Sequence, residues 1–236
     1  MQQLKANITY IFTKAKADHI DDSKRQSYKS SYQKQGVDSN EVLKLNQFGF
    51  ENDTQGDRVN HGGIDKAVCV YPLKYYDFFK TQYNLDLPLC AFGENLTIED
   101  LDDSDFCIGD TWGCGEVIFE VSQPRQPCWK ISSMINVKNL TSLLVKENKS
   151  GFYLRVIQNG EIHLDDTLEL LERKHPNLSI EYINKCAFDA KNNQENIKDI
   201  LKCDSLAKVY SDSLFKRYKQ KEKGLQDWQK DSYSEF

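Results

Sequence analysis

The sequence predicts a mainly β protein, a β-barrel with a few inserted helices, followed by a small domain of three helices. Short apolar segments bounded by glycine, asparagine and charged residues recur through residues 1–173, a spacing typical of barrel strands. His175-Pro176 ends this pattern, and from Ser179 onward apolar residues recur at helical intervals. We therefore predict a barrel domain over residues 1–173 and a three-helix domain over residues 174–236.

Local composition predicts the individual elements. Four segments have the β-branched and aromatic content of strands: residues 8–12, 41–45, 66–71 and 117–121. Pro72 suits the first turn of a helix, and aromatic residues at helical spacing predict that this helix continues to about Tyr83. Asn159-Gly160 is a strong signal for a two-residue turn, so we predict a hairpin that joins residues 152–157 to residues 162–171.

The composition indicates a globular chain that is neither basic nor membrane-spanning. Of its 236 residues, 39% are hydrophobic and 28% are charged, which is typical of a folded protein rather than a disordered one. The net charge of −5 is a poor match for nucleic acid, and no run of about 18 apolar residues predicts a membrane helix. The N-terminus lacks a secretory pattern, so we expect a cytoplasmic protein with no nucleic-acid or membrane partner.

One of the seven cysteines stands in an unusual context. The odd number and the absence of a C-x-x-C pair argue against a disulfide framework or a zinc knuckle, and most of the cysteines should be buried and reduced. Cys128, however, follows Pro127 in the segment Ser122-Gln123-Pro124-Arg125-Gln126-Pro127-Cys128-Trp129. Because two prolines fix φ and remove two backbone donors, we predict a stiff, extended turn rather than a central strand. Such a turn would hold Arg125 and Cys128 in a fixed relation.

Two further motifs carry polar groups on glycine-rich backbone. The loop over residues 55–63 ends in His61-Gly62-Gly63, which fits either a surface turn or a close approach to a ligand. Gly93-Glu94-Asn95 fits either a bulge or a pair of hydrogen-bonding side chains that point into a cleft. We expect these groups to meet at the mouth of the barrel, since loops and strand ends gather there.

Together these segments resemble one known family. The matching residues are Gly56-Asp57, His61-Gly62-Gly63, Phe92-Gly93-Glu94-Asn95-Leu96, Ile108-Gly109-Asp110, the proline-flanked Cys128 segment, Gly151-Phe152-Tyr153-Leu154-Arg155-Val156 and Gly160. Their order resembles that of the MOSC domain proteins, which are related to the C-terminal domain of molybdenum cofactor sulfurase, and most of all the bacterial YiiM-type branch. That branch usually shows Ser-Ala-Ile before a lysine where this chain has Ser30-Ser31-Tyr32-Gln33-Lys34.

The resemblance implies a MOSC-type β-barrel that binds the molybdenum cofactor, with Cys128 as the molybdenum ligand. It implies molybdopterin rather than pyridoxal phosphate. In the YiiM-type branch it further implies an oxidoreductase that reduces N-hydroxylated compounds, such as the base analogue 6-N-hydroxylaminopurine. A thiolate is a suitable ligand for this soft, sulfur-rich metal centre, and a permanently charged Arg125 nearby would favour the deprotonated thiol.

Roles for the other residues follow from what such a cofactor needs. Its phosphate calls for cationic groups, for which the candidates are Arg125, Arg155, His61 and Lys34. Glu94 and Asn95 are candidates for hydrogen bonds to the pterin. Proton delivery to the departing oxygen needs a donor, and His61 is the first candidate, Glu94 the second.

Partners are also implied. No flavin, haem or iron–sulfur signature is present, so electrons would come from an external protein. The apolar face of the helical tail fits a homodimer or a contact with the barrel.

A different class of function stays open at this point. In a cofactor carrier or sulfur-transfer module, Cys128 would hold a persulfide and pass its sulfur to an acceptor. We expect no attached desulfurase domain to supply that sulfur. A third interpretation is a barrel without a cofactor, in which Cys128 is structural.

Overall fold

The computed structural model describes residues 3–20, 27–56 and 62–230. Within these ranges the strands are, in chain order, β1 (Lys5–Thr13), β2 (Asp18–Ile20), β3 (Tyr28–Ser30), β4 (Gln35–Gly36), β5 (Leu43–Asn46), β6 (Gly49–Phe50), β7 (Val68–Pro72), β8 (Leu96–Ile98), β9 (Thr111–Cys114), β10 (Val117–Pro124), β11 (Phe152–Gln158), β12 (Gly160–Ile162) and β13 (Thr167–Glu172). The α-helices of the same ranges are α1 (Lys74–Tyr83), α2 (Lys130–Ile135), α3 (Leu140–Lys146), α4 (Ile180–Phe188), α5 (Gln194–Ile200) and α6 (Lys208–Gln220).

Seven strands close into a barrel in the order β13-β9-β10-β11-β7-β8-β1, because β13 also pairs with β1. The β7–β8 pair is parallel and the other barrel pairs are antiparallel, so the barrel is mixed. Closure leaves no exposed edge among these seven strands. The predicted mainly β barrel with inserted helices is confirmed, and strands are found where residues 8–12, 41–45, 66–71 and 117–121 predicted them.

The predicted Asn159-Gly160 hairpin is wrong. β11 pairs with β10 and β7, whereas β12 pairs with β5 in a separate small sheet. A two-residue type I′ turn needs positive φ at both central residues, and neither Asn159 nor Gly160 has it. Gly160 instead permits a close approach, since a Cβ there would lie 2.6 Å from the Cβ of Glu116.

The helix predicted from Pro72 begins later. Pro72 is the last residue of β7, and α1 begins at Lys74. The proline therefore ends a strand rather than opening the helix.

The proline-flanked segment also differs from the prediction. β10 lies between β9 and β11, and it continues through Pro124, so residues 122–124 belong to a central strand. Two features make this possible: the pairing with β11 shifts register between Val121 and Gln123, and the proline is the last strand residue, which suits a residue without a donor. The turn itself is shorter than predicted and runs from Arg125 to the start of α2.

The three predicted tail helices are present as α4, α5 and α6, and they share a core with the barrel. Ile180, Ile183 and Leu214 from the tail belong to the same buried cluster as Val121 and Leu154 from barrel strands. The backbone N–H of Ala207, before α6, donates to the carbonyl of Ser122 at 2.9 Å. The division into independent domains at residues 173 and 174 stays a prediction.

A second cluster lies beside the barrel. It joins α1 to α3 and to the loop before β8, with the ring of Phe92 stacked on Tyr71 at 4.0 Å between centroids. This packing fixes the loop that carries residues 92–95. In the described ranges, no helix combines the length and the apolar composition needed to cross a bilayer.

Candidate active site: a cationic cavity on the outer face of the barrel

A cavity of about 720 Å³, counting the space at its opening, lies against β7 and β11; we call it the Cys128 cavity. Cys69 of β7 and Tyr153 of β11 are cross-strand partners that line it. Their neighbours Val68 and Leu154 point into the core. Because successive strand residues face opposite sides, the cavity lies on the outer face of the barrel. The expected position at the barrel mouth is therefore wrong, since apolar side chains fill the interior.

Cys128 lines this cavity in a restrained position. Its side chain is buried, and its carbonyl accepts hydrogen bonds from the Ile131 N–H at 3.1 Å and the Thr141 hydroxyl at 2.9 Å. Burial raises the pKa of the thiol, and this effect exceeds the opposing effects of the Lys130 backbone N–H and the Arg125 guanidinium. Arg125 thus acts in the expected direction without overcoming burial. A thiolate here requires further positive charge, such as a bound metal ion.

Arg125 supplies a buried cation with an unused donor. It is 8% exposed, its backbone N–H donates to Gly151 at 3.0 Å, and its Nη2 donates to the carbonyl of Phe92. Its Nη1 is buried and has no hydrogen-bond partner. A buried charge is costly unless it is paired, so this nitrogen indicates a position for an anionic or strongly accepting group.

Glu94 does not line the cavity, although its loop does. The carboxylate is fully buried and accepts from the Tyr76 hydroxyl at 2.5 Å, the Thr97 hydroxyl at 3.2 Å and the Phe92 N–H at 3.2 Å. These bonds stabilise the turn in which Gly93 has φ of +65°, where a Cβ would lie 3.0 Å from the ring of Tyr32. Glu94 therefore holds the loop and has no direct route to a ligand in the cavity.

Asn95 and Lys34 line the cavity but are engaged with protein groups. Asn95 Oδ1 accepts from the Cys69 N–H at 3.1 Å, and its Nδ2 donates to Phe12 at 3.2 Å and to Asp53 at 2.8 Å. Lys34 forms a buried ion pair with the same Asp53 carboxylate. Both side chains fix the wall of the cavity, and Asp53, which links them, was missed by the sequence analysis.

Arg155 and His61 complete the set of predicted residues. Arg155 lies two residues beyond Tyr153 on the same face of β11, a step of about 6.6 Å along the strand. There its guanidinium pairs with Glu120 at 2.8 Å and Asp65 at 2.9 Å and donates to the carbonyl of Ser205 at 3.1 Å. Arg155 is not brought to the Cys128 cavity. His61 lies outside the described residues.

Several lining residues were not anticipated. Cys69 was judged an ordinary core cysteine, yet it faces the cavity, and burial raises the pKa of its thiol. Tyr32 and Tyr153 provide aromatic walls. Tyr153 belongs to a segment that the family resemblance had already marked, and the alternation along β7 and β11 was the available signal for both strand residues.

Charge is the most distinctive property of the cavity. The basic residues that line it come from three stretches of the chain: Lys29 and Lys34, Lys66, and Arg125 and Lys130. Among the described lining residues, only Asp53 carries a carboxylate. This excess of positive charge, in a protein of net charge −5, favours an anionic ligand.

Comparison with known proteins agrees with the fold. The family model of the MOSC domain matches residues 57–169. An uncharacterized protein, YflK of Bacillus subtilis, is 39% identical over 168 residues, which are 71% of this chain and 76% of that protein. The crystal structure of YiiM from Geobacillus stearothermophilus superposes with a TM-score of 0.73 at 30% identity, over 90% of this chain and 99% of that one.

The chain belongs to the MOSC domain family. A more distant relative, a protein named Reductase from Gibberella moniliformis, is 34% identical over 124 residues, which are 51% of this chain and 22% of that protein. MOSC domains in general are associated with binding of the molybdenum cofactor.

The residues of the Cys128 cavity fit such a group. Molybdopterin carries a phosphate and a sulfur-bound metal; the cavity offers the unpartnered Arg125 Nη1, lysines and a thiol. The donor set and the charge are therefore compatible with the cofactor.

Proposed function

We propose that this MOSC family protein is a molybdenum-cofactor-dependent reductase of N-hydroxylated compounds, such as 6-N-hydroxylaminopurine. The observation that carries the proposal is that Cys128 and Arg125 line the same cationic cavity, where the buried Nη1 of Arg125 has no hydrogen-bond partner. A thiol and a cation are what a cofactor with a soft metal and a phosphate requires. The family and the name of the Gibberella relative support the reductase class.

The residues of this chain would divide the work as follows. Arg125 binds anionic oxygen of the cofactor, and the lysines of the cavity neutralise the remaining charge. Cys128 would hold the metal as a thiolate, and the backbone N–H groups of Lys130 and Ile131, which lower the pKa of its thiol, would stabilise the sulfur. The bound metal would supply the two-electron chemistry that removes oxygen from the N–OH group.

Proton and electron supply are also part of the proposal. Because Glu94 does not line the cavity, His61 is the proposed donor of the proton to the departing oxygen. We propose an external protein as the electron donor, since the sequence holds no signature of a second redox group. A homodimer stays part of the proposal.

The sulfur-transfer alternative is disfavoured by the state of Cys128. A persulfide carrier needs an accessible cysteine of low pKa. Cys128 is 8% exposed and the pKa of its thiol is raised by burial. The burial suits a metal ligand, since the charge of a bound metal ion would offset the raised pKa.

The first test measures metal. Protein produced in a host that makes the cofactor should contain near-stoichiometric molybdenum by elemental mass spectrometry, and Cys128→Ser should lose most of it. Cys186→Ser is the matched control, because that cysteine is also buried but lies in α4, outside the residues that line the cavity. Unchanged molybdenum in Cys128→Ser would refute the ligand assignment.

The second test separates the reductase from the carrier. Metal-loaded protein should turn over 6-N-hydroxylaminopurine with an artificial electron donor. A loaded protein that shows no turnover, yet transfers labelled sulfur from Cys128 to an acceptor, would replace the reductase with the carrier.

A further inference from the structure

A second cluster of metal-type ligands lies at the junction of the barrel and the tail. His175 follows the last barrel strand, and Cys203 and Asp204 form the turn between α5 and α6. Each of these three residues offers one possible ligand atom, and the imidazole nitrogen, the sulfur and the carboxylate oxygen all lie within 4.8 Å of one another. No residue of this group lines the Cys128 cavity.

The donor set is one that zinc prefers. Imidazole nitrogen, thiolate sulfur and carboxylate oxygen are all zinc ligands, with metal distances of about 2.0–2.3 Å. Four such ligands around one ion lie about 3–4 Å from each other by this geometry. The 3.8 Å between His175 Nε2 and Asp204 Oδ1 already fits that spacing. A thiolate and a carboxylate would also neutralise a divalent ion.

The surroundings hold the ligands and leave one side open. Gly109 packs against the ring of His175, since a Cβ there would lie 3.1 Å from Cδ2. The backbone N–H groups of Ser205 and Leu206 point at the sulfur of Cys203. Asp204 is exposed, and a surface depression borders His175 and Asp199. A water molecule can therefore complete a tetrahedral site from the solvent side.

We propose that His175, Cys203 and Asp204 bind a divalent zinc-type ion. The ion would connect the end of the barrel to the turn before α6. Since it contacts both parts only in the folded chain, its binding stabilises their contact. The proposal is independent of the reductase function, because none of its ligands contributes to the Cys128 cavity.

The test is a titration of the full chain after removal of metals with a chelator. Co²⁺ should produce the near-ultraviolet absorption of a cobalt–thiolate bond with one ion per chain, Zn²⁺ should abolish it by displacement, and Zn²⁺ should raise Tm. Cys203→Ser should lose the thiolate absorption. His175→Ala and Asp204→Asn should weaken binding by at least about tenfold, since loss of an outer-shell partner alone costs that much.

Controls make each outcome decisive. Cys128→Ser should keep the cobalt–thiolate absorption, which distinguishes this site from the cofactor cavity. Asp204 is exposed, so Asp204→Asn tests the site without disturbing the fold if another variant is unstable. Absence of a thiolate absorption in the parent protein, its survival in Cys203→Ser, or its loss in Cys128→Ser would overturn the proposal.

Discussion

Arg125 and Arg155 have the same charge and both lie in segments that resemble the family, yet only one of them faces the cavity. Arg155 lies between two carboxylates, with its Nη1 2.8 Å from Glu120 and its Nε 2.9 Å from Asp65, whereas the buried Arg125 Nη1 has no hydrogen-bond partner and no carboxylate paired with it among the described residues. A guanidinium that is already paired with carboxylates contributes little to the binding of a ligand. The sign of the charge, which the sequence shows, therefore says less about whether an arginine can bind a ligand than the partners of its guanidinium do.

Arg125→Lys should weaken retention of the cofactor, while Arg155→Lys should change it little. A hydrogen bond to a charged group contributes about 1.5–3 kcal/mol, so the expected loss for Arg125→Lys is about 10- to 150-fold. Cofactor retention can be measured as molybdenum content after dialysis, with thermal unfolding to check that both variants fold. Equal losses in the two variants would remove Arg125 from its proposed role.

Asp103 shows what burial does to a carboxyl group outside the cavity. It is fully buried, its Oδ2 accepts from the Gly151 N–H at 3.2 Å and its Oδ1 has no partner. Burial raises its pKa to about 8. Because the unfolded chain has an ordinary pKa near 4, the folded state holds the extra proton between about pH 4 and pH 8.

The free energy of unfolding should therefore fall as the pH rises through this window, by at most about 1.4 kcal/mol per pH unit from this group. Above about pH 8 both states are ionised and the contribution stops changing. Asp103→Asn, which resembles the protonated form, should flatten the dependence in denaturant titrations between about pH 5 and pH 9. The exposed Asp86→Asn is the control; a parallel pH dependence in all three proteins would contradict this account.

At the scale of elements, the turn that carries Cys128 is held from several sides. Its Arg125 N–H donates to the carbonyl of Gly151, the residue before β11, and the buried Gln229 donates to the carbonyl of Pro127 at 3.0 Å. Gln126 donates to the hydroxyl of Ser213 in α6 at 3.0 Å. The helical tail therefore helps to position the proposed metal ligand, a role that no local pattern in the tail indicated.

Gln229→Leu should loosen this turn. The variant leaves the Pro127 carbonyl without its donor, so the Cys128 thiol of metal-free protein should react several-fold faster with iodoacetamide, a local change of about 1 kcal/mol. Mass spectrometry of the modified peptide gives the rate. Gln194→Leu is a matched control, since that glutamine also donates to a tail carbonyl, that of Ala190. Equal rates in the two variants would show that Gln229 does not restrain the turn.

Element types were predictable from sequence, but their partners were not. Strands β1, β5, β7, β10 and β11, helix α1 and the three tail helices follow from local periodicity and turn residues. The Asn159-Gly160 hairpin failed because strand pairing is decided across the sheet, where β12 pairs with β5. Pro124 could end a central strand because of a register shift with β11, which is a property of two strands rather than of one segment.

At the scale of the whole molecule, the barrel and the tail share one buried cluster. Removal of residues 174–236 would expose the barrel residues that pack on Ile180 and Ile183. It would also remove the Ser205 carbonyl that accepts a hydrogen bond from Arg155. We expect the fragment of residues 1–173 to lack cooperative unfolding, measured by near-ultraviolet circular dichroism during heating. A fragment that unfolds cooperatively would establish the predicted division into domains.

The sequence by itself determined the barrel, the helical tail and the motif that contains Cys128, because these depend on periodicity, on proline and glycine, and on the order of short segments. Only the tertiary structure decided which side chains share the cavity. Its five basic residues come from three distant stretches of the chain, residues 29–34, 66 and 125–130. Strand alternation turns Cys69 and Tyr153 outward while Val68 and Leu154 fill the core. Such convergence depends on long-range pairing, for which a linear pattern carries no signal.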